Sequence, residues 1–288
     1  MNLNKPNYQG SNLLTIKEYL DETKSKFENS DIKSARLDSL ILLEYVCEKP
    51  RSWLLAHQNH QIPASEAKRL QVLLKRRLLR EPIAYIVGHS DFLGLELNVS
   101  SSTLIPRPET EDLVVAVMSE SPVEAKLLEI GTGSGAIALA VRTNRPDIRI
   151  VASDFSAKAI EIAQANAAKH SIDDIEFRIS NLMDDIDGLY DVIVANLPYL
   201  DFKTFNHQHE ISYEPKTALY SADAGLSHYK KLIKQISIKE QLIDGGKIII
   251  ELEPNQRDGL IQFANGFGFK ELKKPNLNKF TLVLQKKK

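Results

Sequence analysis

Leu127-Leu-Glu-Ile-Gly131-Thr-Gly133-Ser-Gly135-Ala-Ile-Ala138 passes from an apolar run, through three alternate glycines, into residues that favour helix. Read as strand, tight turn and helix amino terminus, the stretch predicts the opening β-α unit of a parallel sheet. Glycine lets backbone approach a ligand closely, and a helix amino terminus favours electron-rich or anionic groups. Asp154 ends the next apolar run, nineteen residues beyond Gly135. That spacing suits a carboxylate accepting hydrogen bonds from both hydroxyls of a ribose. The glycines follow G-x-G-x-G, whereas dinucleotide folds use G-x-G-x-x-G. Glu129, two residues before the first glycine, would repel a diphosphate and meet the amino group of a methionine moiety. The loop therefore favours S-adenosylmethionine (SAM) over NAD.

Working outward, strands and helices alternate from residue 111 onward. Expected strands are Lys126–Ile130, Ile148–Ser153, Ile175–Ile179, Asp191–Ala195 and Lys247–Leu252. Expected helices are Glu111–Met118, Ala136–Thr143, Ser156–His170, Ser227–Gln241 and Gln256–Phe263. Phe269-Lys-Glu-Leu272 and Lys279-Phe-Thr-Leu-Val-Leu284 are joined by a polar turn with no room for a helix, which predicts an antiparallel last pair. Residues 14 to 87 carry helical patterns only. Leu14, Ile16, Tyr19 and Leu20 start one stripe, and Leu37, Leu40, Leu42, Leu43 and Val46 form a second. A short helix follows at Trp53-Leu-Leu55. A fourth runs from Ser65 through Lys75-Arg-Arg-Leu-Leu-Arg80, with the cations on a solvated face and Pro82 as the stop. Residues 88 to 105 alternate apolar and polar between glycines, the pattern of a β-hairpin. The expected division is a helical domain at 1–87, a hairpin and linker at 88–110, and an α/β domain at 111–288.

With 43% apolar residues the chain can build a substantial core, and its net charge of −1 carries no global footprint for nucleic acid. The single cysteine, Cys47, forms no internal disulfide and reads as a small core residue. No apolar run reaches the roughly 18 residues of a membrane span, and residues 1–7 lack the apolar core of a signal peptide. The expected location is the cytoplasm, and the expected state is a monomer.

The fourth strand of the alternation runs straight into Asn196-Leu197-Pro198-Tyr199. Ligands bind at the carboxyl ends of such strands. Methyl transfer to nitrogen is an in-line displacement, so the site must align the nucleophile and stabilise its developing charge. The Asn196 side-chain oxygen and a main-chain carbonyl can accept two hydrogen bonds from an NH2 group, holding its lone pair toward the methyl. Pro198 restricts the turn, and Tyr199 is placed to stack on a flat acceptor. Asn196, Pro198 and Tyr199 are the candidate catalytic residues, with Leu197 joining them in substrate binding.

These residues together resemble the release factor glutamine N5-methyltransferases of the HemK/PrmC type. The likeness includes the helical amino-terminal domain, Arg80-Glu-Pro-Ile-Ala-Tyr-Ile86 and Phe92-Leu-Gly-Leu-Glu-Leu97. It continues through Leu104-Ile-Pro-Arg-Pro-Glu-Thr-Glu111, Glu129–Gly135, Ser153-Asp-Phe-Ser156 and Tyr213-Glu-Pro215. The Pro-Arg-Pro connector is the most specific piece. The resemblance implies a class I SAM-dependent methyltransferase, with a seven-stranded Rossmann-like sheet whose last strand is antiparallel, behind a helical domain that helps to hold the substrate. It implies SAM bound by Glu129, Gly131, Thr132, Gly133, Ser134 and Gly135, by Asp154 and Phe155, and by Asn181 and Leu182 near the adenine, with Asn196 beside it. It implies a protein substrate: the glutamine of a Gly-Gly-Gln loop in peptide chain release factors, with no membrane and no stable nucleic acid partner. The family motif is Asn-Pro-Pro-Tyr, and here Leu197 replaces the first proline. Asn-Leu-Pro-Tyr is also similar to the motif of rRNA adenine dimethyltransferases, which lack the helical domain and the connector.

Two other readings compete: an N6-adenine methyltransferase acting on RNA or DNA, and a SAM-binding module without catalysis. His207, His209 and Glu210 fall in a polar loop with no third ligand at familiar spacing, so no metal is expected. Arg107 and Glu109 are expected to tie the connector to the catalytic domain. Glu214-Pro215 is expected to fix the return of the loop after the site.

Overall fold

The computed structural model describes residues 13–201 and 209–287, and the chain divides into two compact units, one ending at Val87 and one beginning at Gly88.

The first unit is helical: α1 (Ile16–Asn29), α2 (Ala35–Cys47), α3 (Arg51–Ala56), α4 (Ala64–Leu78) and α5 (Ile83–Val87). A capping box starts α1: the Thr15 hydroxyl accepts from the Glu18 N–H, and the Glu18 carboxylate accepts from the Thr15 N–H. The core packs Ile16, Phe27, Leu42, Leu43, Leu54 and Leu70. Leu37, expected in the α2 stripe, is instead exposed, because it lies on the helix face opposite Leu42 and Val46. The basic run of α4 is not wholly solvated either. Arg77 is buried, and its Nε donates to Asp38 of α2 at 2.7 Å. Nor does Pro82 stop α4. That helix ends at Leu78, Arg80 takes a left-handed φ of 71°, and Pro82 leads into α5 instead. Cys47 is half-buried beside the core, where burial pushes its thiol up to about 12 and keeps it neutral.

The second unit opens with β1 (His89–Phe92) and β2 (Leu95–Asn98), an antiparallel hairpin. Its two-residue turn places Leu93 and Gly94 at φ 47° and 81°, the positive values that match strand twist. The hairpin packs into this unit. Phe92, Leu95 and Leu97 join its core, and Asn166 bonds both polar groups of the Asn98 backbone.

Next come α6 (Glu111–Glu120), β3 (Lys126–Ile130), α7 (Ala136–Asn144), β4 (Arg149–Asp154), α8 (Ala157–Lys169), β5 (Glu176–Ile179) and β6 (Tyr190–Ala195). A short α9 (Lys216–Leu219), α10 (Ser227–Lys239), β7 (Leu242–Glu251), α11 (Arg257–Asn265), β8 (Phe269–Glu271) and β9 (Thr281–Lys286) complete the chain. The seven-stranded sheet has the order β5-β4-β3-β6-β7-β9-β8, with β9 antiparallel to both its neighbours. Side chains alternate between its faces, as a pleated strand requires. Leu127, Val192, Val194 and Ile249 enter one core, and Leu128, Ile193, Ala195 and Ile250 enter the other. Both faces are therefore apolar, which is why these strands read as continuous apolar runs. β7 starts five residues earlier than expected, and its register with β6 shifts between Tyr190 and Val192. Among the described residues no helix is long and apolar enough to cross a membrane.

Candidate active site

The order of the sheet places β3 between β4 and β6, so chain connections leave it in opposite directions. This is the switch point at which open α/β sheets bind ligands. A cavity of about 530 Å³ lies there. It is lined by the loop after β3, the ends of β4 and β6, the segment after β5, and parts of the connector and of the 215–220 segment.

The loop after β3 is held by its own backbone. The N–H groups of Gly131 and Thr132 donate to the Ser153 carbonyl at 2.8 and 2.9 Å. Gly133 has a φ of 56°, and its N–H donates to Asp154 Oδ2 at 3.0 Å. Asp154 Oδ1 accepts from the Ser156 N–H at 2.9 Å. Burial raises the Asp154 carboxyl, while the amides of Ser156, Gly133 and Phe155 pull it back down. With three amides on about four acceptor sites, the carboxylate retains capacity for a further donor. Glu129 is buried in the cavity floor, where Oε2 accepts from Thr132 Oγ1 at 2.8 Å and from the Ala138 N–H at 3.1 Å. Desolvation raises its carboxyl to about 7, against those two hydrogen bonds. At the acceptor end, Asn196 Nδ2 donates to Thr110 Oγ1 at 3.1 Å, and Leu197 and Pro198 also line the cavity.

This arrangement joins a pocket of backbone and carboxylates to an amide at the end of the neighbouring strand. Residues 18–88 match the PrmC N-terminal domain, and residues 109–220 match the methyltransferase small domain. The release factor glutamine methyltransferase of Coxiella burnetii is 36% identical over 263 residues, spanning 90% of this chain and 94% of that protein. The chain belongs to the release factor glutamine methyltransferase family. The Escherichia coli member is 37% identical over 241 residues, 83% of this chain and 86% of its own length. A crystal structure of a methyltransferase from Pyrococcus furiosus shares the fold, with a TM-score of 0.53 at 17% identity over 77% of this chain and 99% of that one. Family membership makes the chain a methyltransferase and sets aside the NAD reading.

Of the residues expected at the site, Glu129, Gly131, Thr132, Gly133, Ser134, Asp154, Phe155, Asn181, Leu182, Asn196, Leu197 and Pro198 all line the one cavity. Two expected residues do not. Gly135 sits behind it at a φ of 85°, where an added Cβ would meet Leu139 at 3.2 Å and Ala163 at 3.3 Å. It makes room for α7 against α8. Tyr199 turns away from a stacking position. Its ring packs against the core, and its hydroxyl donates to Glu251 Oε1 at 2.9 Å. Burial and the adjacent Glu251 carboxylate push that hydroxyl well up, so it remains a donor.

Leu197, which stands where the family motif has proline, carries an N–H that a proline would lack. The Tyr229 hydroxyl of α10 accepts it at 3.0 Å. That hydroxyl donates to the Glu251 carbonyl, the nearer of its two acceptors, and lies 3.3 Å from the Leu197 carbonyl. Leu197 itself is buried and covers Gly131.

Arg107 pairs with Glu214, which also accepts from the Ile105 N–H at 3.1 Å, so the connector and the 214–220 segment are tied together. His228 lines the cavity, with Nδ1 2.8 Å from Ser221 Oγ, and burial lowers its pKa. Of the polar loop residues, His207 lies outside the described residues. Among the described residues no cluster of three or more His, Cys, Asp or Glu could hold a metal.

Sequence reasoning missed Thr110, Tyr229, His228 and Glu251. Only Glu251 had a readable signal: an acid closing the apolar run Ile248–Ile250, beside the end of β6.

Proposed function

We propose that this chain transfers a methyl group from SAM to the side-chain amide nitrogen (N5) of the glutamine in the Gly-Gly-Gln loop of peptide chain release factors, modulating translation termination. The observation that carries the reading is the single cavity that holds both the glycine loop with Asp154 and the Asn196-Leu197-Pro198 edge. The donor set fits SAM. A Cβ added at Gly133 would meet nothing within 4 Å, so this glycine borders open space at the cavity wall. Gly131 to Ser134 would hold the methionine portion, Asp154 the ribose, and Phe155, Asn181 and Leu182 the adenine. Glu129 would face the amino group. Bound there, SAM supplies an electrophilic methyl on a sulfonium.

The chain's own residues then orient the nucleophile. With Nδ2 committed to Thr110, the Asn196 side chain presents Oδ1 to accept one N–H of the glutamine amide. The Leu197 carbonyl accepts the second. Both acceptors stabilise positive charge as it develops on that nitrogen. Leu197 and Pro198 form an apolar wall that excludes water. The proton leaves after transfer, so no strong base is required beforehand. The helical unit, matching the PrmC N-terminal domain, is proposed to hold the release factor. The near-neutral net charge supports a protein acceptor over RNA or DNA. The expected location is the cytoplasm, where release factors work.

The test mixes purified chain, SAM and release factor. Mass spectrometry should show one added methyl on the loop glutamine and none on a glutamine-to-alanine variant. Label entering RNA or DNA instead would replace the acceptor. SAM binding without turnover on either would leave a binding module.

A further inference from the structure

The Asn196 carboxamide could face the cavity in either of two ways, oxygen first or nitrogen first. Only the first accepts hydrogen bonds from a substrate amide. Thr110 alone cannot decide between them, because a hydroxyl both donates and accepts. A carboxylate can only accept, and Glu251 supplies one. It ends β7, next to Asn196 in the sheet, where Ala195 pairs with Ile250. It is 1% exposed. Its Oε1 takes the Tyr199 hydroxyl, and its Oε2 is buried with no hydrogen bond partner. Burial, and the nearby Glu109, raise this carboxyl, and the Thr110, Tyr199 and Asn196 groups beside it offset only part of that rise.

We infer that Glu251 and Thr110 are positioning residues that fix the Asn196 amide with its oxygen toward the acceptor. Ionised, Glu251 has an Oε2 with no partner of its own, and that vacant acceptor is where the Thr110 proton turns. The Thr110 oxygen then accepts from Asn196 Nδ2, as observed at 3.1 Å. The polarity runs from Glu251 through Thr110 to Asn196 and sets which atom the substrate meets. Tyr199 completes the carboxylate's shell, which accounts for its turn away from the cavity. The inference rests on the proposed grip of Asn196 on a glutamine amide.

The variants are Glu251→Gln, Thr110→Val and Thr110→Ser, assayed in the full chain with SAM and release factor. An amide at 251 can donate as well as accept, so it no longer dictates the direction of the chain. Glu251→Gln and Thr110→Val should lower kcat by about 10- to 100-fold, the usual loss when a reacting group is mispositioned. S-adenosylhomocysteine affinity should stay within about twofold of wild type, since neither side chain is among those proposed to hold that ligand. Thr110→Ser, which keeps the hydroxyl, should restore activity. A release factor with glutamate in place of the loop glutamine gives a second readout. A flipped Asn196 would donate to that carboxylate, so Glu251→Gln should bind the glutamate form relatively better than wild type does. Full kcat in Glu251→Gln overturns the inference. So does an equal loss of kcat and S-adenosylhomocysteine affinity, or an unchanged glutamine-to-glutamate preference. Failure of the wild-type chain to methylate the release factor defeats the underlying function instead.

Discussion

Gly133→Ala and Gly135→Ala form a matched pair that separates ligand contact from packing. Both glycines have positive φ, 56° and 85°. An alanine there costs about 1–2 kcal/mol of backbone strain. Lowered unfolded-state entropy returns about 0.4–1 kcal/mol. For Gly133 the new methyl meets nothing within 4 Å, so net destabilisation should be small, at most about 1.6 kcal/mol. For Gly135 the methyl lies 3.2 Å from Leu139 and 3.3 Å from Ala163, inside ordinary contact distance. Overpacking of this kind adds about 1–3 kcal/mol. The net loss is about 1–4.6 kcal/mol, or roughly 2–18 °C in Tm for a domain of this size. Binding should respond in the opposite order. The Gly133 methyl projects into the cavity and should weaken S-adenosylhomocysteine by about 1–3 kcal/mol, or 5- to 150-fold in Kd. Gly135→Ala should bind normally at temperatures where it is folded. Thermal unfolding and calorimetric titration of both variants supply the measurements. A Gly135→Ala protein with native Tm and lost affinity would refute the assignment, as would a Gly133→Ala protein that binds like wild type.

Glu129 should make ligand affinity depend on pH. Its folded-state carboxyl is raised to about 7, so the unligated site is mostly protonated below that pH and charged above it. A cationic amino group prefers the charged form. S-adenosylhomocysteine should therefore bind about tenfold more tightly at pH 8 than at pH 6, and Glu129→Gln should flatten that profile in calorimetric titrations. The raised value has the opposite effect on the unligated fold, which loses Glu129's contribution to stability as pH rises through about 7. Tyr229→Phe strands the buried Leu197 N–H and should cost about 1–3 kcal/mol in urea unfolding. Leu197→Pro removes that donor, so in its background the Tyr229→Phe cost should shrink by about 1 kcal/mol. Strict additivity across the cycle would mean that the hydrogen bond contributes nothing.

The α/β alternation, the antiparallel close and the helical first unit were legible because they rest on local signals. Apolar runs, glycine punctuation and helical spacing all act within a few residues. The glycine loop, Asp154 and Asn196 were legible for the same reason, since each sits next to the strand that delivers it. The Leu197 departure was visible as a residue change, but its partner was not. The Tyr229 hydroxyl comes from a helix 32 residues away and meets the backbone only when α10 packs on the sheet.

What the amino-acid order determined alone was the set of strands, the loop chemistry and the family. What the tertiary structure decided was the direction of individual side chains. Tyr199 sits in the motif as a stacking ring, yet a buried carboxylate from β7 draws its hydroxyl away. Gly135 belongs to the glycine run, yet Ala163 of α8 makes it a packing residue. Arg77 reads as one of several surface cations, yet Asp38 holds it inside. In each case the deciding partner is distant in sequence. A side chain's direction is chosen by the strongest partner within reach in the fold, and sequence proximity carries no information about which group that will be.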